Sequence, residues 1–215
     1  MRKTYLNRLW FSIVEILVGM FIFSIWLISV LAIISSTLNV TTLNQNYIIA
    51  SNLAREQLEL FRNIRDSNYQ IIHRYDQIDP NGSYKNASDF FETGSYYMIE
   101  NDYSRSASFP IRVEKIKDFS DDVNELNGKM RVYRLCLDEE NRYVFPNDTS
   151  PFNCKVWDTE TKFYRYVEVR EVNYSLGSTQ EVIADALKVT SKVIWYMKWY
   201  HDLEISTVIA DWKRL

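Results

Sequence analysis

FSIVEILVGMFIFSIWLISVLAII, residues 11–34, decides how the rest of the chain is read. Its 24 residues carry one charge, Glu15, and about 20 consecutive apolar residues suffice to cross the hydrocarbon core of a bilayer. The run reads as a membrane-spanning helix. A secretory signal peptide has a shorter apolar core closed by a small-residue cleavage site, whereas this run is of full length and continues unbroken into residues 35–52. It is expected to be retained. Arg2, Lys3 and Arg8 precede it and the first charge after Glu15 is Arg55, so the basic excess puts the N-terminus in the cytoplasm. Everything beyond about residue 35 is then extracytoplasmic.

Working outward from the run, neither Gly nor Pro occurs between Gly19 and Pro80, so no strong breaker interrupts a helix leaving the membrane. From Ile49 onward Ala50, Leu53, Ala54, Leu58, Phe61 and Ile64 recur at spacings of three and four. That spacing leaves Arg55, Glu56, Glu59, Arg62, Arg65 and Asp66 largely on the other faces. Arg55 with Glu59, Glu59 with Arg62 and Arg62 with Asp66 each sit one turn apart and add a few tenths of a kcal/mol apiece. A helix over residues 11–66 would be roughly 80 Å long at 1.5 Å per residue, far more than one bilayer needs. Its outer half must therefore pack on the C-terminal domain.

The chain has 215 residues, enough for one ordinary domain plus an anchor and too few for two comfortable domains. A net charge of −3 gives no sign of a protein that holds nucleic acid by neutralising phosphates. With 15 Tyr, 11 Phe and 6 Trp against 5 Gly and 4 Pro, the composition is that of a chain that folds.

A carboxylate inside an apolar span costs on the order of 2–3 kcal/mol even on the gentlest insertion scale, which makes Glu15 a functional candidate. The plainer reading is a residue near the cytoplasmic end that reaches the interface or Arg8. The surrounding order, a basic leader followed by Phe11-Ser12-Ile13-Val14-Glu15 and an apolar run, resembles the N-terminal methylation motif of type IV prepilins. The resemblance implies cleavage before Phe11 by a prepilin peptidase and methylation of the new amine. It also implies that Glu15 pairs with the N-terminal amine of a neighbouring subunit, two costly charges becoming tolerable together. The helices would then form a filament core with the β domains outside. Trp10 stands where the family has Gly or occasionally Ala, and Ala32 stands where major pilins often carry a Pro, a pattern that suits a minor pilin or pseudopilin. Residues 50–68, ASNLAREQLELFRNIRDSN, also resemble the helix segment of minor pilin-like proteins from small-genome bacteria. So do the strand ends at Trp195 and at Ala210-Asp211-Trp212.

After Asn68 the chain changes character, and residues 76–89, with Pro80, Gly82 and several Asn and Asp, read as a linker. Short aromatic or β-branched runs at residues 95–100, 111–116, 130–137 and 143–145 predict modest strands. Residues 164–172, 187–195 and 199–210 predict longer ones, the last two alternating apolar and polar positions and forming an antiparallel hairpin through residues 196–198. A sheet apolar on one face needs a cover, and the amphipathic half-helix is expected to provide it. The resulting layout is α+β and pilin-like. It has a basic leader at 1–10, a transmembrane half-helix at 11–35, an amphipathic half at 36–68 and a β-rich extracytoplasmic domain at 69–215.

Cys136 and Cys154 form an even pair in an exported domain, separated by a loop with Pro146, Asn147, Asp148 and Pro151, and this predicts a disulfide. Closing such a loop would constrain the unfolded chain by roughly 3 kcal/mol. His73 and His201 stand in no metal or triad spacing, and there is no phosphate loop and no nucleophile motif, so neither enzyme nor cofactor is expected. The acidic clusters Asp118, Asp121, Asp122, Glu125 and Asp138, Glu139, Glu140 lack ordered calcium-ligand spacing and read as solvated loop charges. Arg62, Arg65 and Arg74 are the cations nearest to a DNA contact, with acids beside them. Three classes stay open: a filament subunit whose partners are other pilins, an inner-membrane assembly platform, the peptidase and lipid; an anchored receptor or adhesin that never polymerises; and a tethered enzyme.

Overall fold

The computed structural model describes residues 13–71, 76–78, 90–101, 110–120, 122, 129–146, 154, 159–176 and 179–210. Among these residues one α-helix, α1 (Ile13–Ile71), is followed by seven strands: β1 (Ser95–Asn101), β2 (Ile111–Lys115), β3 (Arg134–Leu137), β4 (Tyr143–Val144), β5 (Thr159–Leu176), β6 (Thr179–Tyr196) and β7 (Tyr200–Ala210). The helix continues five residues past Asp66 because Asn68 and Tyr69 still have work on its buried side: Asn68 Nδ2 donates to Gln77 O at 2.6 Å and the Tyr69 hydroxyl donates to Ala210 O at 3.2 Å. The chain divides into two compact units, meeting between Asn46 and Tyr47.

In the first unit α1 is apolar all round. Ile13, Leu17, Met20, Phe21, Ile28 and Leu31 are all exposed, as are the other large apolar residues up to Val40 except Val30, which is half-buried. A helix of this kind has no preferred face to turn toward a protein core and suits a lipid surround. Its hydroxyls need no outside partner. Ser24, Ser29, Thr37, Thr41 and Thr42 each donate to the carbonyl four residues back, at 2.7–3.0 Å.

In the second unit all strand pairings are antiparallel, and β5 is the organising strand. Along one edge it pairs with β6 over its whole length, and β6 in turn pairs with β7. Its other edge is shared end to end by two short strands. β3 takes the Thr159–Tyr164 part and β1 takes the Val167–Val169 part, with β4 and β2 outside them. Gly94, at φ 77°, makes the tight turn into β1 and donates its N–H to Val169 O at 2.7 Å, a conformation that a side chain would strain.

The helical stripe expected from sequence is the core. Ala50, Leu53, Ala54, Leu58, Phe61 and Ile64 are all buried, packed with Val167, Val169, Val189, Val193, Trp195 and Ile209 of the sheet. Burying side chains of this size contributes roughly 1.5–3 kcal/mol each before the entropy of ordering is subtracted.

Two expectations need correction. Residues 130–137 are not one strand: Lys129–Tyr133 is a 3₁₀ helix and only Arg134–Leu137 extends. The cause is that Met130 and Tyr133, three apart, are both fully buried, which a three-residue turn satisfies and a two-residue alternation does not. The sheet is also covered on more than one face. Tyr164 and Tyr166 alternate with the helix-facing residues of β5 yet are buried, and Tyr166 meets Tyr96, Phe119 and Tyr133 edge-on at 4.7–5.8 Å. Tyr96 and Phe119 stack at 3.5 Å. Aromatic residues from the loops thus form a second, smaller layer behind β1 and β5.

Candidate functional site

Glu15 lies in the first turn of α1 as described, exposed, with Ile13, Val14, Ile16 and Leu17 exposed around it. It is the only Asp, Glu, Lys, Arg or His between residue 13 and Arg55. Ser24 and Ser29 bond within the helix, and among the described residues Glu15 is the one charged group that an apolar surround would enclose in this run. Trp10 and Phe11, assigned to leader processing and methylation, lie outside the described residues.

In the second unit, Cys136 and Cys154 are joined by a disulfide with Cα atoms 5.7 Å apart. Cys136 is buried in β3, so the bridge ties the loop after β4 to the sheet. Of the calcium candidates on the β3–β4 turn, Asp138 and Glu140 are already engaged, Glu140 with Arg142 at 2.7 Å. Asp138 Oδ1 accepts the N–H groups of Glu140 (3.0 Å) and Arg142 (2.8 Å), and Oδ2 accepts from the Arg142 guanidinium at 2.7 Å. Burial pushes the Asp138 carboxyl up, but these N–H groups and the Arg142 charge outweigh it and hold the group below its ordinary value. Asn141, at φ 58°, closes the turn in the left-handed region that Asn tolerates. Asp121 and Glu125 lie outside the described residues; among the described residues no three His, Cys, Asp or Glu side chains gather as a metal site. Of the cations considered for DNA, Arg62 pairs with Glu59 and reaches Thr207, and Arg65 pairs with Asp66 at 2.8 Å. Arg74 lies outside the described residues.

Sequence reasoning passed over the polar lock between helix and sheet. Arg165 occupies a helix-facing position of β5 between Phe163 and Val167 and is completely buried. Its guanidinium donates to Glu56 at 2.7 Å and to the carbonyls of Leu53 and Ile99 at 3.4 Å, and lies 5.3 Å from the centre of the Phe145 ring. At the next helix residue, Ser191 donates to Gln57 Oε1 at 2.7 Å, also fully buried. These bonds fix which helical turn faces which strand position. The signal was available: an arginine at an inward position of an otherwise aromatic and β-branched strand requires a partner. At the Tyr47 end of the unit, Tyr47 meets Trp195 edge-on at 4.9 Å and Trp195 stacks on His201 at 5.4 Å, so His201 serves as a packing residue.

The chain is thus one long, apolar N-terminal helix whose later turns pack on a disulfide-bearing antiparallel sheet, with a single charge in its apolar part. No protein-family model, no curated protein and no solved structure matches this chain.

Proposed function

We propose that the protein is a structural subunit of a type IV pilus-like or secretion pseudopilus-like filament, of the minor kind, assembling through its N-terminal helix. The observation that carries this reading is Glu15, a lone carboxylate in an apolar run in which Ser24 and Ser29 bond to the helix's own carbonyls. Such a group is stabilised by a cation delivered into the same low-dielectric surround, and the terminal amine of a neighbouring copy is one. The order Phe11-Ser12-Ile13-Val14-Glu15 after a basic leader supports the same reading, as does the half-helix laid on an antiparallel sheet. The partners are other pilin subunits, an inner-membrane assembly platform, a prepilin peptidase and membrane lipid. The chain sits in the bacterial cytoplasmic membrane with its N-terminus inside and its sheet outside.

A second reading is favoured by Trp10, whose indole stands where the peptidase motif has a small residue. On that reading the leader stays, Phe11 has no free amine, and the protein is an anchored adhesin or binding domain that does not polymerise. Intact-mass and N-terminal peptide mass spectrometry of the protein from its native membrane separates the two. A chain beginning at N-methylated Phe11 supports the filament subunit; a chain retaining residues 1–10 refutes processing and leaves the anchored domain.

A further inference from the structure

The order Asn-x-Ser/Thr, with x other than Pro, occurs at Asn39, Asn81, Asn86, Asn147 and Asn173, all beyond the apolar run. It is the acceptor pattern for an N-linked glycan on an exported chain. Asn39 and Asn173 lie among the described residues, and the fold separates them. Asn39 sits inside α1, where residues two apart do not face each other, and the Thr41 hydroxyl is committed to Thr37 O at 2.9 Å. Asn173 is exposed in β5, and Ser175 is the next position on the same face of that strand. Acceptor and hydroxyl positions are therefore neighbours in an extended segment. The surroundings of Asn173 point the same way. Beyond the register shift between Glu171 and Val172, β5 pairs with β6 from Val172↔Ile183 to Leu176↔Thr179. The ladder of β1 on β5 reaches Val169 and that of β7 on β6 reaches Ala186, so among the described residues both edges of this ribbon are open. Open edges are usually guarded by Lys, Pro or other charges. Residues 172–176 and 179–183, VNYSL and TQEVI, hold no Lys, Arg or Pro and a single acid, Glu181. A glycan is a bulky, hydrated group that keeps another strand from such an edge.

We infer that Asn173 is an N-glycosylation site whose glycan guards the open β5–β6 ribbon. The donor is an oligosaccharide joined through a diphosphate to a membrane lipid. Asn173 Nδ2 bonds to the anomeric carbon of the first sugar while the bond from that carbon to the diphosphate oxygen breaks. The lipid diphosphate leaves with the electron pair, and the amide gives one proton to a base of the transferase. The inference rests on the sheet-bearing unit being extracytoplasmic, as proposed above, and not on filament formation. The Cys136–Cys154 bridge suits the same oxidising compartment.

The test uses the full chain purified from its native membrane and cut with trypsin, which releases residues 171–188 as a peptide whose only Asn is Asn173. Electron-transfer fragmentation should place a sugar mass on Asn173 in the majority of copies. Asn173→Gln and Ser175→Ala should each abolish it, Ser175→Thr should keep it, and Asn39→Gln should leave it unchanged. A parent chain with bare Asn173 overturns the inference, and so does sugar found on Ser175 or only at Asn81, Asn86 or Asn147. Alkylating free thiols in the same sample separates two levels of failure. Bare Asn173 with an intact Cys136–Cys154 bridge removes the glycan alone; bare Asn173 with both thiols free removes the extracytoplasmic placement with it. In detergent the Asn173→Gln chain should sediment as larger species than the parent, and equal sedimentation would remove the guarding role.

Discussion

Replacing Glu56 with glutamine should cost more than its half-exposed position suggests. Glu56 retains 37 % side-chain accessibility, but the Arg165 guanidinium that it pairs with at 2.7 Å has none. Removing the carboxylate charge leaves a buried cation with two carbonyls at 3.4 Å and the Phe145 ring as its remaining partners. Breaking a fully buried ion pair from one side typically costs about 3–5 kcal/mol. Water reaches the Glu56 side of this one and screens it, so a loss of roughly 1.5–3 kcal/mol is expected. Replacing both residues with apolar side chains of similar length, Arg165→Met with Glu56→Leu, removes the stranded charge. The double variant should therefore be more stable than the two single losses added together, by about 1–3 kcal/mol of coupling. Urea unfolding of the detergent-solubilised full chain, followed by tryptophan emission, measures each corner of the cycle. A Glu56→Gln loss below about 0.5 kcal/mol, or a double variant whose loss equals the sum of the singles, would refute the lock.

Other consequences follow from the same packing. Ile64→Ala, at a fully buried position in the helix–sheet core, should cost about 2–5 kcal/mol in the same urea assay, whereas Asn63→Ala on the exposed face should change stability by less than about 0.5 kcal/mol. Reducing the Cys136–Cys154 bridge should lower stability by about 3 kcal/mol without removing the helical circular-dichroism signal, because α1 lies outside the closed loop. Burial pushes the Tyr97 phenol above its ordinary value, while the Glu92 N–H donates to its oxygen at 2.7 Å. The unfolded chain ionises that phenol first, so stability should be intact below about pH 10 and fall as pH rises through the folded-state value. Tyr97→Phe should flatten that alkaline fall, and an unchanged slope would remove Tyr97 as its source.

The helix and its buried stripe were legible in the sequence because two strong signals coincide: sixty residues free of Gly and Pro between Gly19 and Pro80, and apolar positions at a helical period from Ala50 to Ile64. The β6–β7 hairpin was legible for the same reason in its own period, Leu187, Val189, Val193 and Trp195 facing inward as alternation required. What alternation missed was length. β5 runs to Leu176 and β6 starts at Thr179, beyond the expected 164–172 and 187–195, and the register shifts between Glu171 and Val172. There Asn173 and Ile183 are exposed, so backbone pairing rather than burial extends the ladder, and pairing leaves no hydrophobic pattern to read. The aromatic layer of Tyr96, Phe119, Tyr133 and Tyr166 was hidden for a different reason: its members come from four separated segments and meet only in the fold. Of the candidate site residues, the disulfide was readable from cysteine parity and the expected export. Arg165 was overlooked because its partner lies 109 positions away.

The most direct test of the central claim compares the parent chain with Glu15→Gln and Glu15→Leu in native membranes, scoring by site-specific crosslinking how much of each joins complexes with other subunits. If Glu15 accepts a neighbour's terminal charge, both variants reach the membrane at parental abundance but enter crosslinked assemblies at about one tenth of the parental level or less, a difference of about 1.4 kcal/mol or more. Equal incorporation of all three chains would contradict the claim and leave a membrane-anchored sheet domain that stands alone.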